Sequence, residues 1–407
     1  MKVRLISMFL LLAVSFMAFS TTLTSFDSEL NTSLLEAMGK RQFFEIGVEG
    51  DIFLFQNAYD YTNLLSIVGD FISQDFSLDF VELTDTRTFD FETSDNMNGH
   101  FLVSIADFGL GVVGSFDLRN NFQMSDDLIL AVNNKSSKTG KISFDLDTLL
   151  KFGLYGSYNF EGISVGVLYN FLLPLVYAPE MSMDYDLNQD STNSSLFLDT
   201  TLQLYSPFND EDLNEFMERR VDVVPLFSKV YENGGQSLDI GVTFGESSDP
   251  VFGFGVNNIE IKQPTFKNEI TYETTFEISS DGVATPSEDS TLTSKPFSDH
   301  VEYPVPLALS GFLRIPFDIF DILTYGEFLI DDQKINWGVM LKSSLFGFIP
   351  LSLGIEYFND YWATSVGFGL DTRIIENRTE IGLKSKDLDT LIDLRGFTFK
   401  TSFAIGF

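Results

Sequence analysis

Apolar and polar residues alternate with a period of two along most of the chain. Between 142 and 160 the even positions are almost all apolar or aromatic, whereas the odd positions are mainly charged, polar or small. The same alternation recurs from 106 to 118, from 163 to 171 and from 238 to 244. A period of two places apolar and polar rows on opposite faces of a β-strand, so the sequence predicts an all-β protein.

Short polar connections separate many of the alternating segments, which is typical of successive antiparallel hairpins. Asn359-Asp360, for example, separates two such segments. A sheet that closes on itself in such hairpins has an even number of strands, and we expect about 14, within a range of roughly 12 to 16. The predicted strands lie near residues 43–55, 76–82, 101–119, 141–160, 163–171, 195–205, 238–245, 251–262, 266–279, 305–315, 322–330, 335–345, 350–357, 362–372, 378–386 and 397–407.

Two architectures show this alternation. A soluble sandwich or propeller has shorter strands with one core face, whereas a membrane barrel has longer strands with a lipid face and a polar, glycine-rich interior. The strands here are long, their polar faces mix glycine with charge, and their apolar faces end in aromatic residues. We therefore predict a transmembrane antiparallel up-and-down β-barrel, because only a sheet without edges satisfies every backbone hydrogen bond in lipid.

The first twenty residues have the features of a secretion signal. Lys2 and Arg4 precede an apolar run from 5 to 19, and small residues end at Ser20. This run is too short to span a bilayer as a helix, so we predict a signal peptide, 1–20, that is cleaved near Ser20. The mature region, 21–407, is predicted to be one barrel domain that lies in the outer membrane of a Gram-negative-type envelope.

The C-terminal eleven residues alternate in aromatic and polar character and end in phenylalanine. This segment resembles the terminal strand of bacterial outer-membrane barrels. The resemblance implies that outer-membrane lipid and the barrel-assembly machinery are partners, with an assembly signal at Phe403, Ile405 and Phe407.

Composition excludes several classes of function. The chain has 59 acidic and 25 basic residues, a formal net charge of −34, no cysteine and two histidines. Nucleic acid is therefore not an expected partner, because phosphate binding needs clustered lysine and arginine. His100 near Ser104 and His300 near Ser298 could form serine–histidine pairs, but neither has an oxyanion motif nearby. We expect no enzyme activity and no cofactor.

One acidic segment has the residue spacing of a calcium loop. Its four candidate ligands occupy alternate positions: Asp184, Asp186, Asn188 and Asp190. Gln189 and Ser195 stand where an EF-hand loop needs glycine and glutamate, so a solvated acidic loop is the favoured interpretation.

Three segments depart from the strand pattern. Residues 59–74 place apolar side chains at helical spacing and could plug the lumen or cap the barrel mouth. Residues 208–220 resemble an acidic helix within a long connection, 208–235. Residues 280–304 are polar and predict an exposed loop.

The stretch from Ser33 to Leu65, which contains Ala37-Met38-Gly39, is loosely similar to the long-chain fatty-acid transporter (FadL-like) and TraF-like group. That resemblance implies about fourteen strands, an N-terminal segment folded into the lumen and a lateral opening in the wall. It also implies passive uptake of small hydrophobic molecules.

The sequence favours a channel or transporter for small, hydrophobic solutes. A cation-preferring general porin is one alternative, since carboxylate rings favour cations. A plugged structural or adhesin-like barrel that presents 208–235 and 280–304 is another. Large residues on the nominal inner face, Tyr155, Phe197 and Tyr205, favour a filled or hydrophobic lumen. The lumen-lining candidates, which could also neutralise one another inside a filled barrel, are Asp107, Asp117, Asp145, Asp147, Lys151, Glu269, Glu273, Glu277, Glu356 and Asp371.

Overall fold

The computed structural model describes residues 43–56, 89–124, 137–189, 194–209, 212, 228, 230–246, 249–279, 284–286, 291–372, 374–393 and 395–406. Within these ranges the chain forms 18 strands and one short 3-10 helix, Leu388–Asp393. None of the helical residues there belongs to a segment long and apolar enough to cross a membrane.

Fourteen of the strands form a closed antiparallel barrel. Each pairs with the next around the ring, and β1 pairs with β18 to close it. In ring order they are β1 (Phe44–Gln56), β2 (Phe89–Ile105), β3 (Phe108–Met124), β4 (Lys138–Phe160), β5 (Ile163–Gln189), β7 (Gly235–Glu246), β8 (Asp249–Lys262), β12 (Ala308–Pro316), β13 (Asp321–Leu329), β14 (Lys334–Leu345), β15 (Ile349–Phe358), β16 (Tyr361–Asp371), β17 (Ile375–Ser385) and β18 (Gly396–Gly406).

The two ends of the barrel differ in the length of their connections. One end, called here the turn end, has connections of two to four residues between β2 and β3, β4 and β5, β7 and β8, β12 and β13, β14 and β15, and β16 and β17. The opposite end, called the loop end, carries every long connection. Long connections at one end and short turns at the other are typical of outer-membrane-type barrels.

The other four strands extend the barrel at the loop end. They are β6 (Ser194–Ser206), β9 (Thr265–Ser279), β10 (Ala284–Pro286) and β11 (Thr291–Glu302). The outer half of β5 pairs with β6, β6 pairs with β9, and β9 pairs with β10 and β11. These strands and the outer half of β5 are called the projecting wall.

Prolines mark the junction between the barrel and the projecting wall. β5 exchanges β7 for β6 as its partner between Leu172 and Tyr177, and this interval contains Pro174. Pro207 directly follows β6, and Pro264 separates β8 from β9. Because proline has no N–H to donate to a β-ladder, the barrel strands end here and the wall strands take new partners.

The distribution of side chains is the reverse of that in a soluble protein. Charged and polar residues such as Glu356, Glu380 and Lys400 point inward and are buried. Large apolar residues point outward and are exposed on all sides, among them Val48, Leu110, Leu154, Val167, Phe254, Leu313, Leu353, Val366 and Ile381. The apolar rows predicted from the sequence therefore face outward.

Aromatic residues border the apolar outer surface at both ends. At the loop end, Trp362 packs against Trp337 at 5.6 Å and against Tyr357 at 5.1 Å between ring centroids. At the turn end, aromatic pairs sit beside four of the short turns: Phe108–Tyr158, Phe244–Phe252, Phe317–Phe320 and Phe346–Phe348.

The structure corrects two of the predicted segments. The single strand predicted at 101–119 is a hairpin, because β2 ends at Ile105 and the chain turns at Ala106, which has a φ of 54°. The loop predicted at 280–304 instead contains β10 and β11, since its alternating Thr and apolar residues pair with β9. The signal peptide, the predicted strand 76–82 and the helix at 59–74 lie outside the described residues.

The predicted acidic helix, 208–220, is described only at its start. Asn209 and Asp212 exchange reciprocal hydrogen bonds of 2.9 Å between each side chain and the other's backbone N–H. Such a reciprocal pair is the arrangement of a helix N-terminus. The remainder of that prediction lies mostly outside the described residues.

Candidate functional site

The lumen is the candidate site, and its side near β15 to β18 carries buried charge. Lys400 Nζ lies 3.5 Å from Glu356 Oε1, and Glu380 lies directly across the β17–β18 pair from Lys400. All three side chains are at least 95% shielded from solvent. Tyr325 donates a hydrogen bond of 2.7 Å to Glu356 Oε2 from the other side. A buried lysine surrounded by carboxylates is stabilised only by that close pairing.

Further polar pairs line the inner face of β1. His100 Nε2 lies 2.8 Å from Glu45 Oε1, close to the turn end. Asn98 donates a hydrogen bond to Glu49 at 3.2 Å, and Thr398 donates one to Asp51 at 3.2 Å. The carboxylates on this strand therefore face neighbouring strands and are held by their side chains.

The opposite side of the lumen carries an apolar cluster. Leu102 from β2, Tyr155 from β4 and Leu168 from β5 form a buried cluster, with Val113 from β3 packed against it. Phe312, from β12, packs against the same cluster although β7 and β8 lie between β5 and β12 in the ring.

Phe312 also contacts a second apolar cluster. Leu323 from β13 and Met340 from β14 are buried together, with Phe312 and Tyr325 packed against them. Side chains in mutual contact thus run from β2 to β14 and, through Tyr325, reach the buried charges. This set is called the waist: Leu102, Val113, Tyr155, Leu168, Phe312, Leu323, Tyr325 and Met340.

Glycines on neighbouring strands make room for the waist aromatics. The Phe312 ring lies over Gly253 on β8, and the Tyr325 ring lies over Gly338 on β14, so a Cβ at either glycine would collide with the ring. The inward alternation of large rings with glycine therefore lets aromatic side chains lie along the wall.

An aromatic cluster stands at the junction between the barrel and the projecting wall. Tyr177 stacks on Phe266 at 6.0 Å and meets Tyr303 edge-on at 5.4 Å, and Leu149 and Leu172 are buried with them. These residues, with Tyr205, are called the seam cluster.

A charge group borders the seam cluster. Tyr303 donates a hydrogen bond of 2.7 Å to Asp147 Oδ1. Lys151 Nζ lies 3.8 Å from Asp117, which also accepts a hydrogen bond from Asn96. The seam cluster and the inward-facing charges of β3 and β4 therefore form one contiguous surface.

A third cluster lies at the loop end on the other side of the barrel. Phe53, Phe55 and Tyr361 are buried together. Lys384 Nζ lies 4.3 Å from the centre of the Phe53 ring, and Lys386 Nζ lies 5.5 Å from that of Phe55. Ammonium groups over ring faces are attracted by the ring quadrupole, so two cations are held beside this rim.

The predicted lumen residues fall into three groups. Five share the inward register of the barrel wall: Asp117, Asp145, Asp147, Lys151 and Glu356. Asp107 lies in the β2–β3 turn, and Asp371 ends β16 at the turn end. Three lie on β9 in the projecting wall: Glu269, Glu273 and Glu277. The alternation of the sequence shows which residues share one face of a strand. It does not show which strands leave the barrel for the projecting wall.

The other candidate residues also have defined places. Asp184, Asp186 and Asn188 lie within β5 rather than in a loop, Lys141 Nζ is 3.7 Å from Asp184, and Asp190 lies outside the described residues. No group of potential metal ligands occurs within the described ranges.

Of the proposed assembly signal, Phe403 and Ile405 lie on β18 opposite Val48 and Ile46. Phe407 lies outside the described residues.

Comparison of the sequence with protein-family profiles and with curated proteins gives no match. Among solved structures, the Pseudomonas putida toluene transporter TodX is similar, with a TM-score of 0.49 and 9% identity over 95% of each chain. The deltaS2S3 mutant of TodX, described as a monoaromatic hydrocarbon channel, has the same TM-score and identity over 94% of this chain and 95% of the other. The translocator domain of the Neisseria meningitidis autotransporter NalP has a TM-score of 0.33 and 3% identity, covering 92% and 93%.

TodX is a hydrocarbon transporter of the FadL family, the group to which the N-terminal stretch of the sequence is loosely similar.

Proposed function

We propose that the protein is an outer-membrane channel for the passive uptake of small, uncharged, hydrophobic solutes. The observation that carries this proposal is the reversed distribution of side chains, with charges buried inside the barrel and exposed apolar residues outside. Water is a poor solvent for so continuous an apolar surface, whereas a bilayer covers it without cost.

The height of the apolar surface supports placement in a bilayer. On β14 the outward apolar residues run from Trp337, among the aromatic residues at the loop end, to Leu345, beside the aromatic residues at the turn end. The eight steps from Trp337 to Leu345, at about 3.4 Å each and tilted by about 40°, span about 20 Å along the barrel axis. This height is close to the ~25 Å apolar band of outer-membrane barrels.

The waist supports hydrophobic cargo over ions. A general porin needs a water-filled lumen, but here apolar side chains from β2, β4, β5 and β12 to β14 are in mutual contact. An apolar solute can exchange contacts with the waist, whereas a hydrated ion would lose its water.

Uptake of a neutral fluorescent hydrophobe tests this function. Cells that express the full chain are mixed with N-phenyl-1-naphthylamine, whose emission rises when it passes the polysaccharide-coated outer leaflet. We expect uptake several times faster than in cells with an empty vector. Equal uptake rates, with the protein shown to be folded by its heat-shifted gel migration, would contradict the proposal.

A surface-interaction role is the second candidate, and the projecting wall favours it. The strands of the wall reach far beyond the barrel, and Gln203, Lys267 and Glu273 on it are exposed. A barrel that served only to present this wall would leave uptake of the hydrophobe at the vector level.

A further inference from the structure

At the waist, side chains from separate parts of the barrel wall meet. Phe312 joins two buried clusters that are otherwise separate, one on β2, β4 and β5 and one on β13 and β14. Its ring lies over Gly253 and so follows the wall of β8 toward β5. Removing the Phe312 ring would therefore separate the two clusters of the waist.

Charged side chains surround the apolar contacts of the waist. Glu356 and Lys400 lie on the far side of Tyr325, and His100 and Glu45 pair with each other toward the turn end. The side chains that make the waist contacts, among them Leu168, Phe312 and Met340, are apolar. Asp239 lies across β5 and β7 from Leu168, where it accepts hydrogen bonds from Asn170 and from the backbone N–H of Asn258. Narrow apolar constrictions in channels exclude ions because water does not wet them.

We propose that Phe312 is the selectivity residue of the channel, which closes the lumen to hydrated ions while uncharged apolar solutes pass by displacing its ring. This inference rests on the proposed function and names its solute class more narrowly. It also separates the role of Phe312 from that of the inward carboxylates, which then hold the wall together rather than select cations.

Planar-bilayer conductance of the refolded full chain in potassium chloride tests the role of Phe312. The wild type and Phe312→Leu are expected to be nearly silent. Phe312→Ala and Phe312→Asn are expected to raise conductance about tenfold or more, equivalent to ~1.4 kcal/mol or more in the barrier. Phe254→Ala is the matched control, because Phe254 pairs with Gly311 next to Phe312 but its side chain is exposed on the outer surface.

The asparagine variant separates an apolar barrier from a purely steric one. Asparagine is larger than alanine but polar, so a wetting barrier predicts that Phe312→Asn conducts at least as well as Phe312→Ala. Steric closure alone predicts that the alanine variant conducts better, and this order would overturn the inference.

Two other outcomes also decide against the inference. It is wrong if the wild type already conducts like Phe312→Ala, or if both the alanine and asparagine variants stay silent while folded. The hydrophobe uptake of the wild type distinguishes the two proposals: normal uptake with silent variants rejects only the waist barrier, whereas absent uptake rejects the channel function itself.

Discussion

Replacing Lys400 by methionine measures how dry the barrel interior is. The Lys400 side chain is 2% exposed, lies 3.5 Å from Glu356 and faces Glu380 and Asp51 across the two neighbouring strand pairs. Methionine fills a similar space but leaves these carboxylates without their cation. Breaking a buried ion pair in this way costs about 3–5 kcal/mol, whereas an exposed pair contributes about 0–1 kcal/mol.

The assay is urea unfolding of the protein refolded in lipid vesicles. Trp337 and Trp362, the only tryptophans of the chain, lie on the outer surface and report insertion by fluorescence. With a slope of roughly 2–3 kcal/mol per molar urea, the expected loss lowers the midpoint by about 1–2.5 M.

A matched control and a rescue variant interpret that shift. Lys267→Met removes an exposed lysine from the projecting wall and should move the midpoint little. Adding Glu356→Gln and Glu380→Gln to Lys400→Met should recover much of the loss, because the uncompensated buried charges are then gone. A Lys400→Met midpoint equal to that of Lys267→Met would show a wet lumen and refute the reasoning.

Three further outcomes are expected. Brominated lipid should quench Trp337 and Trp362 in vesicles, because both rings lie at the edge of the outer apolar surface; unquenched emission would place this surface outside the bilayer. Gly338→Ala should lower stability by about 1–3 kcal/mol in urea unfolding, since its methyl group collides with a tyrosine ring. Lys334 donates a 2.7 Å hydrogen bond that lowers the pKa of Asp360. Asp360→Asn should therefore be slightly less stable than wild type at neutral pH, and the difference should vanish as the pH falls through and below the usual aspartate pKa of about 4.

The positions of hairpins whose turns contain residues such as Asn and Asp could be predicted closely from the sequence. Asn359 and Asp360 adopt φ values of 49° and 69°, the left-handed pair that a tight two-residue hairpin needs and that Asn and Asp tolerate best. The turn at Ala106 and Asp107 could not be recognised in this way. Ala106 has a φ of 54°, but no glycine or asparagine indicates a turn at this position. The alternation of apolar residues therefore continues through the turn without interruption.

The inward face of each strand followed from parity, but the contacts across the lumen did not. Tyr155 alternates with outward residues on β4, so its inward position could be inferred from the sequence. The contact between Phe312 and the cluster of Leu168 depends on which strands close the ring, and β6, β9, β10 and β11 leave that ring. Strand order around a barrel is set by long-range pairing, which alternation does not encode.

The position of the projecting wall links the two apolar clusters of the lumen. The seam cluster stands directly above the strands that carry the apolar half of the waist, since Leu172 and Leu168 point inward from the same strand. Asn170 lies between them and is held by a 2.9 Å hydrogen bond to Asp239, so its polar group is already satisfied. Leu172, Leu168 and Phe312 therefore form an apolar line from the seam cluster to the waist, and the charged groups beside this line, Asp239 and Lys151, are held by Asn170 and Asp117. The buried ion pair of Lys400 and Glu356, with Glu380 beside it, lies along β15 to β18 on the other side of the waist, where it stabilises the wall.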